Sequence, residues 1–332
     1  MKMINIGIIG FGKVGKLRYQ ILKKIKDVNV ISICDLNNSK KNIDNITITK
    51  NYNDIINNKN INTIFISVPN YLNKKITIKC LKKNKNIFCE KPPTINSLEM
   101  KDIIKAEKKS KSKLMYGFNH RLHNSVIEIK NLIESKKFGK ILWMRGRYGK
   151  SVDKNFFSSW RSKKKFAGGG ILLDQGIHML DLFIYLAGSF DKVKSSIGNR
   201  YWKCDVEDNA FVILENTKTG ISASLHSTMT QWRHIFSLEI FLENGYLVLN
   251  GLKTSSNTYG REVLTIAKNR SLAPAATWNK EIKKLYKVDN SFKSEILYFL
   301  ENIKNNNKIN SSNSKDALKI MTLIDNIYKA GK

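Results

Sequence analysis

Two different spacings of apolar residues divide this chain. Up to about Tyr116, short apolar runs alternate with stretches whose apolar residues recur at helical spacing, the signature of a parallel sheet with crossover helices. The runs predict strands over 4–9, 28–34, 63–68, 87–89 and 114–117, and helices over 14–24, 52–56, 74–83 and 97–109. In the last of these helices Leu98, Met100, Ile103 and Ile104 form the apolar face, with Asn96 or Ser97 as the cap. From about Ile141 the spacing shortens to alternation, which predicts strands over 142–148, 193–197, 210–215, 221–227, 236–242 and 246–249. Turn signals at Lys218-Thr-Gly220 and Glu243-Asn-Gly245 join them into an antiparallel sheet. One strongly apolar helix over 171–186 interrupts the alternation. Two more helices are expected over 292–304 and 314–328, joined by an Asn- and Ser-rich loop expected to be mobile.

The fold class expected from this is α/β: an N-terminal Rossmann domain with a doubly wound parallel sheet, then an α+β domain with an open, mainly antiparallel sheet. The domains fall at 1–118, the dinucleotide-binding part, and 119–290, the substrate-binding and oligomerisation part. Residues 291–332 supply C-terminal helices that pack back on the first domain. A chain of 332 residues suits two domains of ordinary size.

The strand over 4–9 runs into Gly10, Gly12 and Gly15 in G-x-G-x-x-G spacing, and a helical pattern follows. Gly10 suits a tight turn, Gly12 lets a pyrophosphate approach the backbone, and Gly15 lets the helix pack on the strand. Phe11, Lys13 and Val14 complete the turn, whose helix N-terminus offers N–H groups to phosphate. The next strand ends in Asp35, twenty residues beyond Gly15, where a dinucleotide fold places the carboxylate that binds the adenosine ribose. Asp35 favours NAD, since a 2′-phosphate would meet a negative charge. Ser39, Lys40 and Lys41 close behind it keep NADP open.

Net charge changes the picture less than its size suggests. The formal +31 comes overwhelmingly from lysines scattered among asparagines and isoleucines, not from a stripe of arginine and aromatic residues. No helix-turn-helix, RNP or zinc-finger pattern is present, so specific nucleic-acid binding is not expected. No run reaches the roughly 20 apolar residues of a membrane span, and the N-terminus shows no leader pattern. Cys34, Cys80, Cys89 and Cys204 form no C-x-x-C pair, which suits reduced thiols in a cytoplasmic protein.

Two further constellations carry chemistry. Glu90-Lys91-Pro92-Pro93 follows a strand directly, so Lys91 stands at the carboxyl edge that faces the ligand crevice of an open α/β sheet; a surface turn in a lysine-rich chain would read the same way. After Gly168-Gly-Gly170, the residues Asp174, His178, Asp181 and Tyr185 fall on one face of the apolar helix. Such a stripe must be satisfied, either by an internal hydrogen-bond ladder or by a substrate. Imidazole titrates near ~6.5 and a neighbouring carboxylate tunes it for proton transfer. His120 and His123 lack nearby carboxylates in sequence and read as structural, and no metal-ligand set is expected.

Taken in order, Gly10-x-Gly12-x-x-Gly15, Asp35, Pro69-Asn70, Glu90-Lys91-Pro92, Gly117-Phe-Asn119-His-Arg121 and Gly168-Gly-Gly-x-x-x-Asp174-x-x-x-His178-x-x-Asp181 resemble the Gfo/Idh/MocA oxidoreductases over essentially the whole chain. The resemblance implies hydride transfer between a sugar or cyclic polyol and nicotinamide, with Lys91, Asp174 and His178 as the catalytic set. It adds Pro69, Asn70, Glu90 and Lys91 to the cofactor contacts, and Asn119, Arg121, Trp160 and Arg161 to the substrate contacts. It also implies a homo-oligomer. Many members carry a histidine where this chain has Asn73. The patterns Tyr148-Gly-Lys150, Trp160-Arg161 and Val206-Glu-Asp-Asn-Ala-Phe look most like members of bacterial surface-sugar biosynthesis. Arg161 and Lys163–Lys165 would then favour an acidic or nucleotide-linked sugar. A non-catalytic sugar sensor on the same scaffold and a reductase of a non-sugar substrate are the alternatives.

Overall fold

β-Branched residues dominate the first strand, β1 (Ile4–Ile9), and all but Asn5 are buried there. A computed structural model describes residues 3–37, 42–44, 46–268 and 280–331 of the chain. These divide into two compact units. The first contains Met1–Phe118, Lys165–Gly168 and Phe292–Met321; the second contains Asn119–Lys164, Gly169–Ser291 and Thr322–Lys332.

In the first unit β1 leads through α1 (Lys13–Leu22) to β2 (Val28–Cys34), then to β3 (Asn42–Ile43), β4 (Ile46–Thr49) and α2 (Tyr52–Asn57). It continues through β5 (Thr63–Ile66), α3 (Asn70–Lys82), β6 (Asn86–Cys89), α4 (Ser97–Glu107) and β7 (Leu114–Tyr116). The seven strands lie in the order β3-β4-β2-β1-β5-β6-β7. All neighbours are parallel except β3 and β4. The winding reverses between β1 and β5, and the crevice at such a switch point is where open α/β sheets bind ligands. The core packs Ile6, Ile8, Phe65 and Phe88 against Ile296 and Phe299 of α9 (Ser291–Lys304). Asn96 caps α4 by accepting from Glu99 N–H, whereas Leu98, expected on the apolar face, is two-thirds exposed.

The second unit begins with α5 (Asn124–Glu134) and β8 (Ile141–Ser151). Two short helices follow, α6 (Lys154–Ser158) and α7 (Lys164–Ala167), the latter lying almost wholly in residues of the first unit. A π-helical turn over Leu172–Gly176 leads into α8 (Ile177–Ala187). The sheet is completed by β9 (Lys192–Gly198), β10 (Asn209–Glu215), β11 (Ser222–Thr228), β12 (Thr230–Leu242), β13 (Gly245–Asn250), β14 (Glu262–Lys268) and β15 (Ile282–Tyr286). Its order is β15-β14-β13-β12-β8-β11-β10-β9, antiparallel throughout except between β8 and β11. On β8 Met144, Gly146 and Tyr148 turn inward, and Gly146 lets α8 close on the sheet: a Cβ there would stand 2.5 Å from Met179 Cγ. The last helix is α10 (Ser314–Ala330).

Seven elements are absent from the sequence reading: β3, β4, α5, α6, α7, β14 and β15. β3 and β4 are short, α6 and α7 span barely a turn, and β15 is rich in Lys, so no long pattern marks them; β14 has apolar residues on both faces and no strict alternation. The expected uniform helix over 171–186 is corrected to a π turn followed by an α-helix. One stretch bears on the expectation that no run reaches the length of a membrane span. Helical residues 164–187 are long and apolar enough by composition, yet most of them are buried inside the protein. A helix apolar on all sides is what a core position demands.

Candidate functional site

In the first unit the glycine turn is built from backbone. Gly10 has φ +93°, and its N–H donates to Cys34 O at 2.8 Å, tying the turn to the end of β2. A Cβ on Gly15 would lie 2.1 Å from Gly10 O, so α1 packs on the turn itself. Around Gly12 a Cβ would meet nothing within 4 Å. Among the described residues no side chain caps α1 and no acid occupies its first turn. Open space above an uncapped helix start, with Lys13 beside it, fits a pyrophosphate. Asp35 accepts from Phe11 N–H at 2.7 Å and from Asn37 N–H at 2.9 Å, so it braces the turn as well as marking the end of β2. Ser39, Lys40 and Lys41 lie outside the described residues.

The other predicted cofactor residues sit around α3 and the end of β6. Pro69 is the N-cap of α3. Asn70 is buried and donates to Ala167 O at 2.7 Å. Lys91 follows β6, and the Lys91–Pro92 peptide is cis. Asn73, at the position where the resemblance led one to look for histidine, is buried and donates to Pro92 O at 2.8 Å. It therefore pins the segment that carries Lys91. Glu90 is held by Arg18, whose Nε and Nη2 donate to Glu90 Oε1 at 2.8 and 2.6 Å. Arg18 is fully buried, pairs also with Glu295 of α9, and lies against the Phe88 and Phe292 rings. The sequence reading missed Arg18. Its signal was available: it shares the apolar face of α1 with Gly15, Tyr19 and Leu22, and a buried arginine requires carboxylate partners.

In the second unit the polar stripe separates into two parts. Asp181 receives a bidentate pair from buried Arg121, at 2.8 and 2.6 Å, and the guanidinium lies 4.9 Å from the Tyr185 ring centre. This lower half is the internal ladder that the stripe allowed. The upper half differs. Asp174 sits in the π turn, one residue before Gln175, and accepts from Lys150 Nζ at 2.5 Å. The His178 ring lies on the His120 ring, 3.8 Å between centroids and 18° from parallel. His120 is held in its own plane: Nδ1 is 3.2 Å from Asn119 Oδ1 and Nε2 is 3.1 Å from the Tyr148 hydroxyl. The Asn119 amide in turn donates to Ser291 Oγ at 2.9 Å. An amide oxygen only accepts, so His120 carries a proton on Nδ1. Burial, then Tyr259 and the Asp174 charge, push the Tyr148 phenol well above its ordinary range, so it stays protonated. Gln175 donates to Tyr259 at 2.6 Å behind it.

The start of this helix is fixed by Glu207, which accepts from Gly170 and Leu172 N–H at 2.7 and 3.1 Å and from the Tyr328 hydroxyl at 2.8 Å. His123 meets the His120 ring edge-on, 5.6 Å between centroids, and its Nδ1 lies 3.1 Å from buried Glu262. Trp160 and Arg161 form a helical turn in which the guanidinium covers the indole at 4.5 Å. Arg161, Lys163, Lys164 and Lys165 are exposed. Sequence reasoning missed the His120 stack and the Lys150 pairing. The residues were in quoted motifs, but no local rule brings β8 against the π turn.

Comparison with known proteins bears on both units. A family model described as an oxidoreductase family with an NAD-binding Rossmann fold matches residues 4–118, and one described as a GFO/IDH/MocA C-terminal domain matches residues 126–248. Levoglucosan dehydrogenase of Pseudarthrobacter phenanthrenivorans is 36% identical over 149 residues, which cover 44% of this chain and only 38% of that protein. Myo-inositol 2-dehydrogenase of Thermotoga maritima is 23% identical over 265 residues, covering 76% of this chain and 77% of that protein. A solved levoglucosan dehydrogenase in complex with NADH shares the fold, with a TM-score of 0.85 at 22% identity over 99% of this chain and 97% of that one. With its two parts matched by two models of one family, the chain belongs to the Gfo/Idh/MocA oxidoreductases, and its first unit is an NAD-binding Rossmann domain.

Proposed function

We propose that this protein is an NAD-dependent dehydrogenase of a sugar or cyclic polyol, acting on a CH–OH group. The observation that carries the reading is the Asp174–His178 segment. There one carboxylate is ion-paired with Lys150 and one imidazole is stacked on a neighbour whose ring nitrogens are already engaged in its own plane. Alcohol oxidation needs a base for the hydroxyl proton and a donor for the oxygen that gains negative charge.

In this reading Gly10, Phe11, Gly12, Lys13, Val14, Gly15 and Asp35 hold NAD, with Pro69, Asn70 and Glu90 lining or bracing its site. The bound cofactor supplies the acceptor, at nicotinamide C4, for the hydride leaving the substrate carbon. His178 takes the hydroxyl proton, so that proton and hydride leave the CH–OH group as it becomes a carbonyl. Lys91 donates a hydrogen bond to the reacting oxygen, and Asp174, ion-paired with Lys150, orients the substrate hydroxyls or the imidazole. Asn119, Trp160 and Arg161 are assigned to substrate. Arg121 acts one step back, by fixing Asp181 on the same helix.

The exposed cations at Arg161 and Lys163–Lys165 support an acidic or nucleotide-linked sugar. Four free cysteines, three of them buried, support a cytoplasmic location. Exposed Trp143 on β8 and Phe211 and Ile213 on β10, the two strands that flank β11 in the eight-stranded sheet, support a homo-oligomer. Following NADH absorbance against a panel of free, acidic and nucleotide-linked sugars and cyclic polyols tests the reading. Turnover is expected with at least one class. Lys91→Met and His178→Ala should still bind NADH while losing roughly 10²–10⁴ in kcat. A silent panel, or near-normal kcat in both variants, would overturn the assignment.

A further inference from the structure

The second unit carries an exposed aromatic platform that the proposed chemistry does not use. Tyr201 and Trp232 are 56% and 66% exposed, with ring centroids 5.4 Å apart and planes at 79°. Trp202 stands behind both, 4.8 Å from Tyr201 and 6.2 Å from Trp232, so the three rings meet edge to face. Burying such rings is worth several times what an exposed polar loop gains by displaying them, so their exposure calls for an occupant.

The platform is built rigidly. The buried Asp208 carboxylate accepts from three successive N–H groups, of Arg200, Tyr201 and Trp202, at 2.8, 2.7 and 2.9 Å. Trp202 Nε1 donates to Met229 O at 3.0 Å. The Trp202 ring also packs on a small core of Ile171, Val206 and Met229, next to the start of the catalytic helix. A line of rings connects it to that helix: Trp202 to Phe157 at 5.4 Å, Phe157 to Phe156 at 5.8 Å, and the Phe156 ring 5.5 Å from Lys150 Nζ, which holds Asp174.

Three cations lie in the two segments that carry the rings. Arg200 and Lys203 flank Tyr201-Trp202 in sequence and Arg233 follows Trp232; all three are exposed, and Arg200 Nη2 donates to Ser196 Oγ at 3.2 Å. Of the nearby acids, Asp208 is buried as above and Glu207 is held by Gly170 and Leu172 N–H, while Asp205 is exposed and accepts from Lys164 N–H at 2.7 Å. Flat aromatic faces with a cationic margin match a flat base joined to phosphates. A neutral second sugar would have no use for the cations.

We propose that Tyr201, Trp202 and Trp232, with Arg200, Lys203 and Arg233, form a subsite for the nucleoside diphosphate part of a nucleotide-linked sugar. This deepens the reading of the second unit as the substrate-binding part and rests on it. Trp232 supplies the stacking face, Tyr201 and Trp202 hold it upright, and the cations meet the pyrophosphate.

The test is titration of UDP, dTDP, GDP and inorganic pyrophosphate into enzyme saturated with NADH, so that the dinucleotide site is filled. Saturable binding of at least one nucleoside diphosphate is expected. Trp232→Ala should weaken it by roughly 5-fold to 150-fold, the loss of one base stack, while Trp232→Phe should keep most of it. Arg233→Ala should weaken pyrophosphate as well, which Trp232→Ala should not. NADH affinity and the melting temperature of each variant report that the fold is retained. Failure of every nucleotide to bind, or binding indifferent to Trp232→Ala, would overturn the proposal. So would a change of molecular mass by light scattering in Trp232→Ala with nucleotide binding unaltered, which would make the platform a contact between copies. Sugar turnover without nucleotide binding would remove the platform alone. Nucleotide binding with a silent sugar panel would remove the dehydrogenase reading and leave the subsite standing.

Discussion

The glycine turn of the first unit and the Asp174–His178 helix of the second are built in opposite ways. The turn works with backbone: a positive φ at Gly10, a close approach at Gly15 and open space at Gly12, all within six residues. The helix works with side chains gathered from distant positions. Asp174 meets Lys150 of β8, and His178 lies on His120, which bonds Tyr148 of β8; Tyr259, from the loop before β14, packs on Tyr148. A backbone site depends on what a residue lacks, and a side-chain site depends on what several residues bring together. The first therefore tolerates no added atom, whereas the second should fail gradually as supports are removed.

The sharpest way to break this comparison lies in the glycines. Gly15→Ala forces a Cβ to within 2.1 Å of Gly10 O and should cost about 1–3 kcal/mol of stability together with most NADH affinity. Gly12→Ala enters open space, so its melting temperature should match the parent while NADH affinity falls. Paired melting curves and NADH titrations check both. An equal loss of stability in the two variants would show that the turn is not divided into a packing position and a ligand position.

A smaller effect is expected beneath His178. His120→Ala removes the ring on which the His178 imidazole rests and should lower kcat about tenfold, or ~1.4 kcal/mol, with NADH affinity unchanged. His120→Phe restores a flat ring without the bonds to Asn119 and Tyr148, so it should recover part of the loss. Identical kcat in Ala, Phe and parent enzymes would make the stack mere packing.

The smallest effect appears only in acid. Burial pushes the Glu262 carboxyl up, but the hydrogen bond and charge of His123, with the Ser125 hydroxyl and Lys253 N–H, more than reverse this and hold it below the usual carboxylate range. A carboxylate depressed on folding stabilises the fold above its ordinary pKa, about 4.3, and that stabilisation is lost as pH falls through the lower folded value. Urea midpoints from pH 7 to pH 3 should therefore fall less steeply in Glu262→Gln than in the parent, from a lower starting point at pH 7. Parallel curves would mean that this pair contributes no pH dependence.

Much of the architecture could be read from spacing alone. The parallel-sheet strands, the switch from crossover pattern to alternation near Ile141, and the Asn96 cap all follow local rules, because each depends on residues within one or two turns of one another. Leu98 shows the limit. It fits the helical period of α4 but faces water, because nothing in the period says which flank of an apolar stripe the sheet will cover. Arg18 shows it again, since its helix position announces burial but its partner Glu295 is 277 residues away.

By itself, then, the sequence determined the glycine turn, the place of Asp35 at the end of the second strand and the candidates Lys91, Asp174 and His178, because those are short patterns with a local physical meaning. Only the tertiary structure decided how the polar stripe is shared. It sent Asp181 and Tyr185 to Arg121 and set Asp174 beside Lys150, and it widened the helix by a π turn where they part. It also raised Tyr201, Trp202 and Trp232 into one exposed platform from two separate segments. The physical reason is the same in each case. Contacts between distant segments follow from how α8 closes on β8 and from which strands neighbour each other, and neither is written in the period of any single element.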